Sequence, residues 1–376
     1  MKTNGCETLK EILLLLAVVS VVWSVFIFEA ACLLLLFIAL FLPENGAKLL
    51  RKESFGQNAT IYLLIGVYVV LVVLSILFSL SPAVSMNAFR KLWHILLFFV
   101  GGLCVLPRER ILSLLKAFSV SASAAAFTII PFEALVGKSV VKNIVTPHNA
   151  TTLAYLFVCA VMVSAIFSLV RERKRSKFFW TTVMALNLAG VLLLHLRLPI
   201  VLSGAGIIAL ALLFSRQQNS GHLAVVAALL FFFLLPGITL SRIELTLSGY
   251  TESRFVIWDT ALTLLPHTPL FGYGPQTFDR LFPADARASL DDRRVSSWQN
   301  DFVTTALESG FPALAVLLLI FFLLFRTIAS RYHAPPQRHI FFALAGILMA
   351  AALVNNVFED PRLSGFFWLM SGLFYE

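Results

Sequence analysis

Apolar residues fill most of this chain in long runs, and polar residues gather in the gaps between them. A helix needs about 20 mostly apolar residues to cross a hydrocarbon core, fewer where its flanks snorkel. Read that way, the pattern predicts twelve spans: 11–28, 30–43, 60–80, 89–106, 111–132, 150–170, 178–196, 199–215, 222–240, 311–326, 339–356 and 363–375. The second and twelfth are short. One interval breaks the pattern: Ser241–Gly310 cannot lie in a bilayer core. Within it Phe255, Trp258, Ala261, Leu262 and Leu265 recur at helical spacing, with Ser253 as an N-cap and Pro266 ending the run. This predicts an amphipathic helix at the membrane interface. Gly272 and Gly274 predict a tight turn, and a further helix starts near Trp298–Asn300 and runs into the tenth span. The organisation expected is 1–240 with nine spans, 241–310 as a long loop, and 311–376 with three spans.

Composition fixes the class. Of 376 residues 59% are hydrophobic and 13% charged, where a soluble domain carries about 25% charged residues. The chain reads as an all-α polytopic membrane protein. Its net charge of +9 sits mainly in alternate links, at Lys48, Arg51 and Lys52, at Arg108 and Arg110, at Arg171 to Lys177, at Arg216, and at Arg326, Arg331 and Arg338. The positive-inside rule then places both termini in the cytoplasm and Ser241–Gly310 on the opposite face, the periplasm of a bacterium. That loop has six Arg, no Lys and nine acids, so it is no basic patch and nucleic acid is not implied. No ATP is available on that face, so chemistry there requires an already activated substrate. Cys6, Cys32, Cys104 and Cys159 all lie outside the loop, so neither a disulfide nor a metal site is expected in it. The first apolar run lacks a small-residue cleavage site and reads as a retained helix.

Four local signatures then acquire meaning together. Leu196-Arg197-Leu198-Pro199 places an Arg between two apolar helices. Arg254 and Trp258 head the loop helix as Arg-x-x-x-Trp. Pro269 to Gly274 reads Pro-Leu-x-Gly-x-Gly. Gln299-Asn300 is followed by Glu308-Ser309-Gly310 at the start of the tenth span. Their order and spacing resemble the O-antigen ligase and polymerase family of bacterial inner-membrane glycosyltransferases, most specifically over Arg197–Gly310; Pro147-His148-Asn149 adds to the likeness. The resemblance implies a GT-C-like architecture of about twelve transmembrane helices with one long, partly helical periplasmic loop. It implies a donor glycan on undecaprenyl diphosphate, passed with inversion and without a metal or other cofactor. The acceptor is a hydroxyl of lipid A–core in a ligase, or a second lipid-linked glycan in a polymerase. One departure stands out: the family's ligase histidine corresponds to Gln299, whose amide cannot take a proton.

Each candidate residue has a bland reading beside the functional one. Arg197 and Arg254 are either a snorkelling and a solvated cation or, as the resemblance implies, clamps on the donor diphosphate, because guanidinium meets phosphate oxygens in a two-pronged fork. Gln299 and Asn300 stand at the catalytic pair. Trp258 stacks on a sugar or anchors its helix. Gly272 and Gly274 are turn formers or, with Trp258, part of the substrate-binding site. His148 and Asn149 head a helix and are substrate-binding candidates, with capping by Asn149 as the bland reading. Arg293 and Arg294 follow Asp291 and Asp292 and read as a surface cluster or as acceptor-phosphate contacts. With Gln299 in place of a histidine, the candidate bases are His267, Asp301 and Glu308, with His148 also able to titrate near neutrality. The thin cationic provision beyond Arg197 and Arg254 favours the ligase over the polymerase. A transporter or flippase is the reading from another class; it calls for internal repeats and midplane ionisable residues, and here the ionisable groups cluster at the outer boundary.

Overall fold

A computed structural model of the chain describes residues 5–41, 52–104, 106–136, 147–170, 174–194, 196–214, 253–288, 290, 295–331 and 337–375. Every regular element among the described residues is helical. In order they are α1 (Gly5–Trp23), α2 (Val25–Phe41), α3 (Lys52–Leu77), α4 (Pro82–Ser85), α5 (Phe89–Leu103), α6 (Arg108–Val136), α7 (Pro147–Val170), α8 (Lys174–Leu193) and α9 (Arg197–Phe214). There follow α10 (Ser253–Leu264), α11 (Phe278–Leu281), α12 (Ala284–Ala288), α13 (Asp301–Arg331), α14 (Gln337–Ala352) and α15 (Pro361–Tyr375). Six of them, α3, α6, α7, α8, α9 and α13, are long and apolar enough to cross a membrane, and α2 and α14 are shorter apolar helices. The chain is a membrane protein. The expected ninth span, 222–240, lies outside the described residues.

Two of the boundaries that differ from the sequence pattern do so for a local polar reason. The first two apolar runs part at Ser24, whose hydroxyl accepts from Ile27 N at 3.3 Å. That caps α2 and sets the break ahead of Glu29, where hydropathy had placed it. The eleventh run was expected to reach residue 356, but α14 stops at Ala352. Residues 353–358 instead form a turn whose side chains and amides are taken up by hydrogen bonds described below. At the next helix Asp360 is the cap: its Oδ1 accepts from Arg362 N and Leu363 N at 2.9 and 3.2 Å, with Pro361 opening α15.

The chain divides into two compact units. The first comprises Met1–Ile38, Cys104–Ile243 and Arg331–Met349; the second comprises Ala39–Leu103, Glu244–Ser330 and Ala350–Glu376. In the first unit α7 is buried along nearly its whole length. Small and hydroxylated residues let its neighbours approach. A Cβ on Gly190 of α8 would sit 2.9 Å from both Ala126 and the Phe157 ring. Ser119 Oγ of α6 donates to Ala160 O at 3.0 Å, and Ser123 Oγ donates to Val183 O at 3.2 Å. The amide of Asn187 donates to Ser119 O, Ser123 Oγ and Val183 O. Hydroxyls and an amide between helices replace hydrophobic driving force where lipid is as apolar as leucine.

In the second unit α5 and α15 meet backbone to backbone. A Cβ on Gly101 would lie 2.5 Å from Leu369 O, and one on Gly372 would lie 2.1 Å from Phe98 O. This unit carries the long loop.

Candidate functional site

The second unit's site is built around a break in α13. Gly310 takes φ +85 and ψ 163, which interrupts the helix, and Pro312 follows. An uninterrupted helix would bond Leu307 O to Phe311 N and Glu308 O to the nitrogen of residue 312. The break removes the first bond and proline has no hydrogen for the second. Two buried carbonyls therefore need other donors, and the glycine turn supplies them. Tyr273 N donates to Leu307 O at 2.8 Å and Gly274 N to Glu308 O at 2.9 Å; Ser75 Oγ adds a bond to Glu308 O at 2.6 Å. Gly272 and Gly274 have φ +74 and +103. They are more than turn formers: a Cβ on Gly272 would meet the Glu308 carbonyl at 2.4 Å.

The turn is held from its other side as well. Leu80 N donates to Tyr273 O at 2.9 Å and Ser85 Oγ to Pro275 O at 2.7 Å. Gln276, at φ +61, donates its N–H to Glu308 Oε2 at 2.6 Å. Glu308 thus secures the turn with both its backbone and its carboxylate.

Next to this lies a small core made by the loop itself. Trp298 is fully buried among Ile257, Ala261, Phe278, Phe282, Leu290 and Leu307. Its ring meets Phe278 edge-on at 4.8 Å between centroids. The inner stripe of α10 is Ile257, Ala261 and Leu264, while Phe255 and Leu262 are exposed on the opposite side. The expected helix is there, ending in a 3-10 turn at Leu265–His267, but it is not the expected amphipathic one: its apolar residues are divided between the loop core and an outward side. Trp258 packs half-buried against the loop core.

A turn after α14 brackets the start of α13. Asn300 is the N-cap: its Oδ1 accepts from Phe302 N and Val303 N at 2.9 and 3.1 Å, and its Nδ2 donates to Leu353 O at 2.8 Å. Asp301, buried, accepts from Val357 N and Phe358 N at 2.7 and 3.0 Å. Arg254, half-buried in the first turn of α10, donates from Nη2 to Asn355 Oδ1 at 3.3 Å. Gln299 sits at φ +53, a conformation uncommon for a non-glycine residue, and its amide donates to Ser297 Oγ at 3.1 Å.

The glycine turn, α13 and the turn after α14, together with α3, α5 and α15, line a cleft of about 140 Å³. The carboxylates of Asp301, Glu308 and Glu359 line it, with Gln276, threonine and serine hydroxyls and the Trp368 ring. No Lys, Arg or His is among its lining residues. It can accept hydrogen bonds from hydroxyls, and its charge disfavours phosphate.

The other sequence candidates are placed as follows. Arg197, in the first unit, is the first residue of α9 and is exposed, with Pro199 in the same turn. His148 and Asn149 lie in the first turn of α7. His267 is exposed, and its carbonyl accepts from Tyr273 Oη at 3.0 Å. Arg293 and Arg294 lie outside the described residues. Sequence reasoning missed Asn355, Asn356, Gln276 and the central position of Trp298. Two adjacent amides at the end of an apolar run were a usable signal for the first pair; a left-handed Gln276 has none.

A helical membrane chain whose long loop docks onto a broken span is the class these observations define. Residues 182–318 match the model of the O-antigen ligase family. The matched stretch contains each motif that carried the resemblance except Pro147–Asn149, and it supports glycan transfer of the O-antigen ligase and polymerase type. No curated protein matches the chain.

Proposed function

We propose that this protein is an O-antigen ligase of the bacterial inner membrane. It moves a glycan from undecaprenyl diphosphate to a hydroxyl of lipid A–core on the periplasmic face, with both termini in the cytoplasm. Residues 241–310 form the periplasmic loop between nine preceding and three following spans. The observation that carries this reading is the bracket at the start of α13, which ties Arg254 and the Gln299–Asn300 pair to one turn. Arg254, Gln299 and Asn300 lie within the stretch that matches the family model, and the turn that holds them follows it in the chain.

The chemistry is a single displacement. The acceptor oxygen bonds to the anomeric carbon as the bond from that carbon to the phosphate oxygen breaks, so the configuration inverts. The diphosphate leaves with the bonding electrons, and the Arg254 guanidinium stabilises the charge that develops there. The resemblance implies the same role for Arg197. The acceptor's proton passes to a carboxylate of the acidic cleft, Asp301 or Glu308. Asp301 accepts from two backbone N–H groups and Glu308 from one, which fixes each carboxylate in place. Gln299 positions the acceptor hydroxyl. Gln299→His is therefore expected to retain transfer and add a pH dependence near neutrality, while Gln299→Ala lowers transfer without abolishing it. A dead histidine variant beside a tolerant alanine variant, in the same transfer assay, refutes the positioning role.

Ligase and polymerase share the donor and differ in acceptor. Purified protein in liposomes, given only lipid-linked glycan, is expected to form no ladder of longer lipid-linked chains. Adding lipid A–core is expected to give a conjugate. A ladder without lipid A–core overturns the ligase reading in favour of the polymerase.

A further inference from the structure

We infer that Asn355 is a positioning residue for Arg254, fixing its guanidinium without neutralising it. This rests on the reading of Arg254 as a ligand of the donor diphosphate. Among the described residues the guanidinium meets no carboxylate; its partner is the neutral Oδ1 of Asn355 at 3.3 Å.

The turn that carries Asn355 is held firmly. Asn355 N donates to Ala351 O at 2.8 Å and Val354 N to the same carbonyl at 3.0 Å. On one side of the turn Asn300 Nδ2 binds Leu353 O at 2.8 Å. On the other, Asp301 Oδ2 accepts from Val357 N and Phe358 N. The bracket thus uses its two kinds of acceptor differently. The acid, Asp301, is aimed at backbone amides, where its charge strengthens the bonds. The neutral amide, Asn355, is aimed at the arginine. A carboxylate at position 355 would pair with the guanidinium through a two-pronged contact and compete with an incoming diphosphate. An amide acceptor satisfies one of five N–H donors and leaves the full positive charge for the substrate. The same turn holds Asn300, so the orientation of Arg254 is fixed relative to the Gln299–Asn300 pair.

The test uses the full-length protein in liposomes with lipid-linked glycan as donor and saturating acceptor. Asn355→Asp keeps the side chain's size and adds charge. It is expected to raise the donor KM about tenfold with kcat within about threefold, the pattern of a competing ion pair. Asn355→Ala removes the bond without adding charge, and is expected to raise donor KM about threefold. Both shifts are expected to shrink below about twofold in an Arg254→Gln background, as a double-mutant cycle requires of a residue acting through Arg254. An Asn355→Asp donor KM within twofold of the parent, or shifts of either variant that persist without Arg254, overturns the inference. Should Asn355→Asp not fold, the Asn355→Ala cycle decides it alone. Arg254→Gln by itself also reads the underlying function: an unchanged donor kcat/KM removes Arg254 from the donor site. A lowered kcat/KM with no coupling to position 355 leaves that site standing and removes only Asn355.

Discussion

Gly310→Ala is expected to destabilise the protein by at least about 3 kcal/mol, the scale of strain at backbone conformations that only glycine adopts. Two costs combine. The residue's φ of +85 and ψ of 163 lie where an L side chain is strained. A Cβ there would also come within 2.1 Å of Leu270 O and 2.9 Å of Gly272 N. Both obstacles are backbone, and both belong to a turn pinned at Leu307, Glu308 and Leu80. They cannot rotate aside as a side chain would. Gly272→Ala meets the same wall from the other side, at the Glu308 carbonyl. For a chain of this length such a loss lowers the unfolding midpoint by roughly 4 °C or more. Gly66→Ala and Gly346→Ala serve as controls. Nothing lies within 4 Å of a Cβ at either position, and both are within helices, where alanine is favoured over glycine by about 1 kcal/mol. Thermal unfolding of the four purified variants checks the contrast. Equal midpoints for Gly310→Ala and Gly66→Ala would show that the turn does not grip the helix.

How much of this was legible follows from what each signal encodes. Apolar run length records how long a helix stays in lipid, and eleven of the twelve expected runs fall on described helices. It does not record where side-chain hydrogen bonds end a helix. Asn355 and Asn356 were therefore absorbed into a span, although Asn355 binds Arg254 and Asn356 Nδ2 reaches Thr304 Oγ1 at 3.4 Å. Helical periodicity correctly marked Ser253 to Leu264 as one helix. It could not tell which apolar stripe faces protein, because Phe255 and Ile257 are equally apolar and only the position of Trp298 separates them. The glycine turn was visible from Gly272 and Gly274. Its purpose depends on residues 307 and 308, over thirty positions away, whose carbonyls are freed by Gly310 and Pro312. Asp301 illustrates the same limit: as a letter it is a candidate base, and its two bonds from Val357 N and Phe358 N appear only in three dimensions.

Arg197→Ala and Arg254→Ala are each expected to cut glycan transfer about a hundredfold or more, the usual consequence of removing one preorganised donor from a charge-developing transition state. The lysine variants are expected to lose at least about tenfold, because the charge remains but the planar fork is gone. The helices explain why stability should not fall in parallel. Arg197 opens α9 and Arg254 is the second residue of α10. A cation in the first turn opposes the helix macrodipole, which favours anions there by about 0.3–1 kcal/mol. Neither helix has an acid in its first turn to offset this. Removing either charge should thus leave folding within about 0.5 kcal/mol of the parent, or improve it slightly. The same geometry suits a bound anion, since a helix N-terminus and a guanidinium attract it together. A residue that is unfavourable for its own helix and costly to remove from the reaction is a functional cation. A snorkelling arginine gives the opposite pattern, with near-normal transfer after substitution. Transfer rates and unfolding midpoints measured on the same purified variants separate the two: loss of transfer at unchanged midpoint supports the phosphate role, and near-normal transfer by both alanine variants returns the two arginines to membrane anchoring.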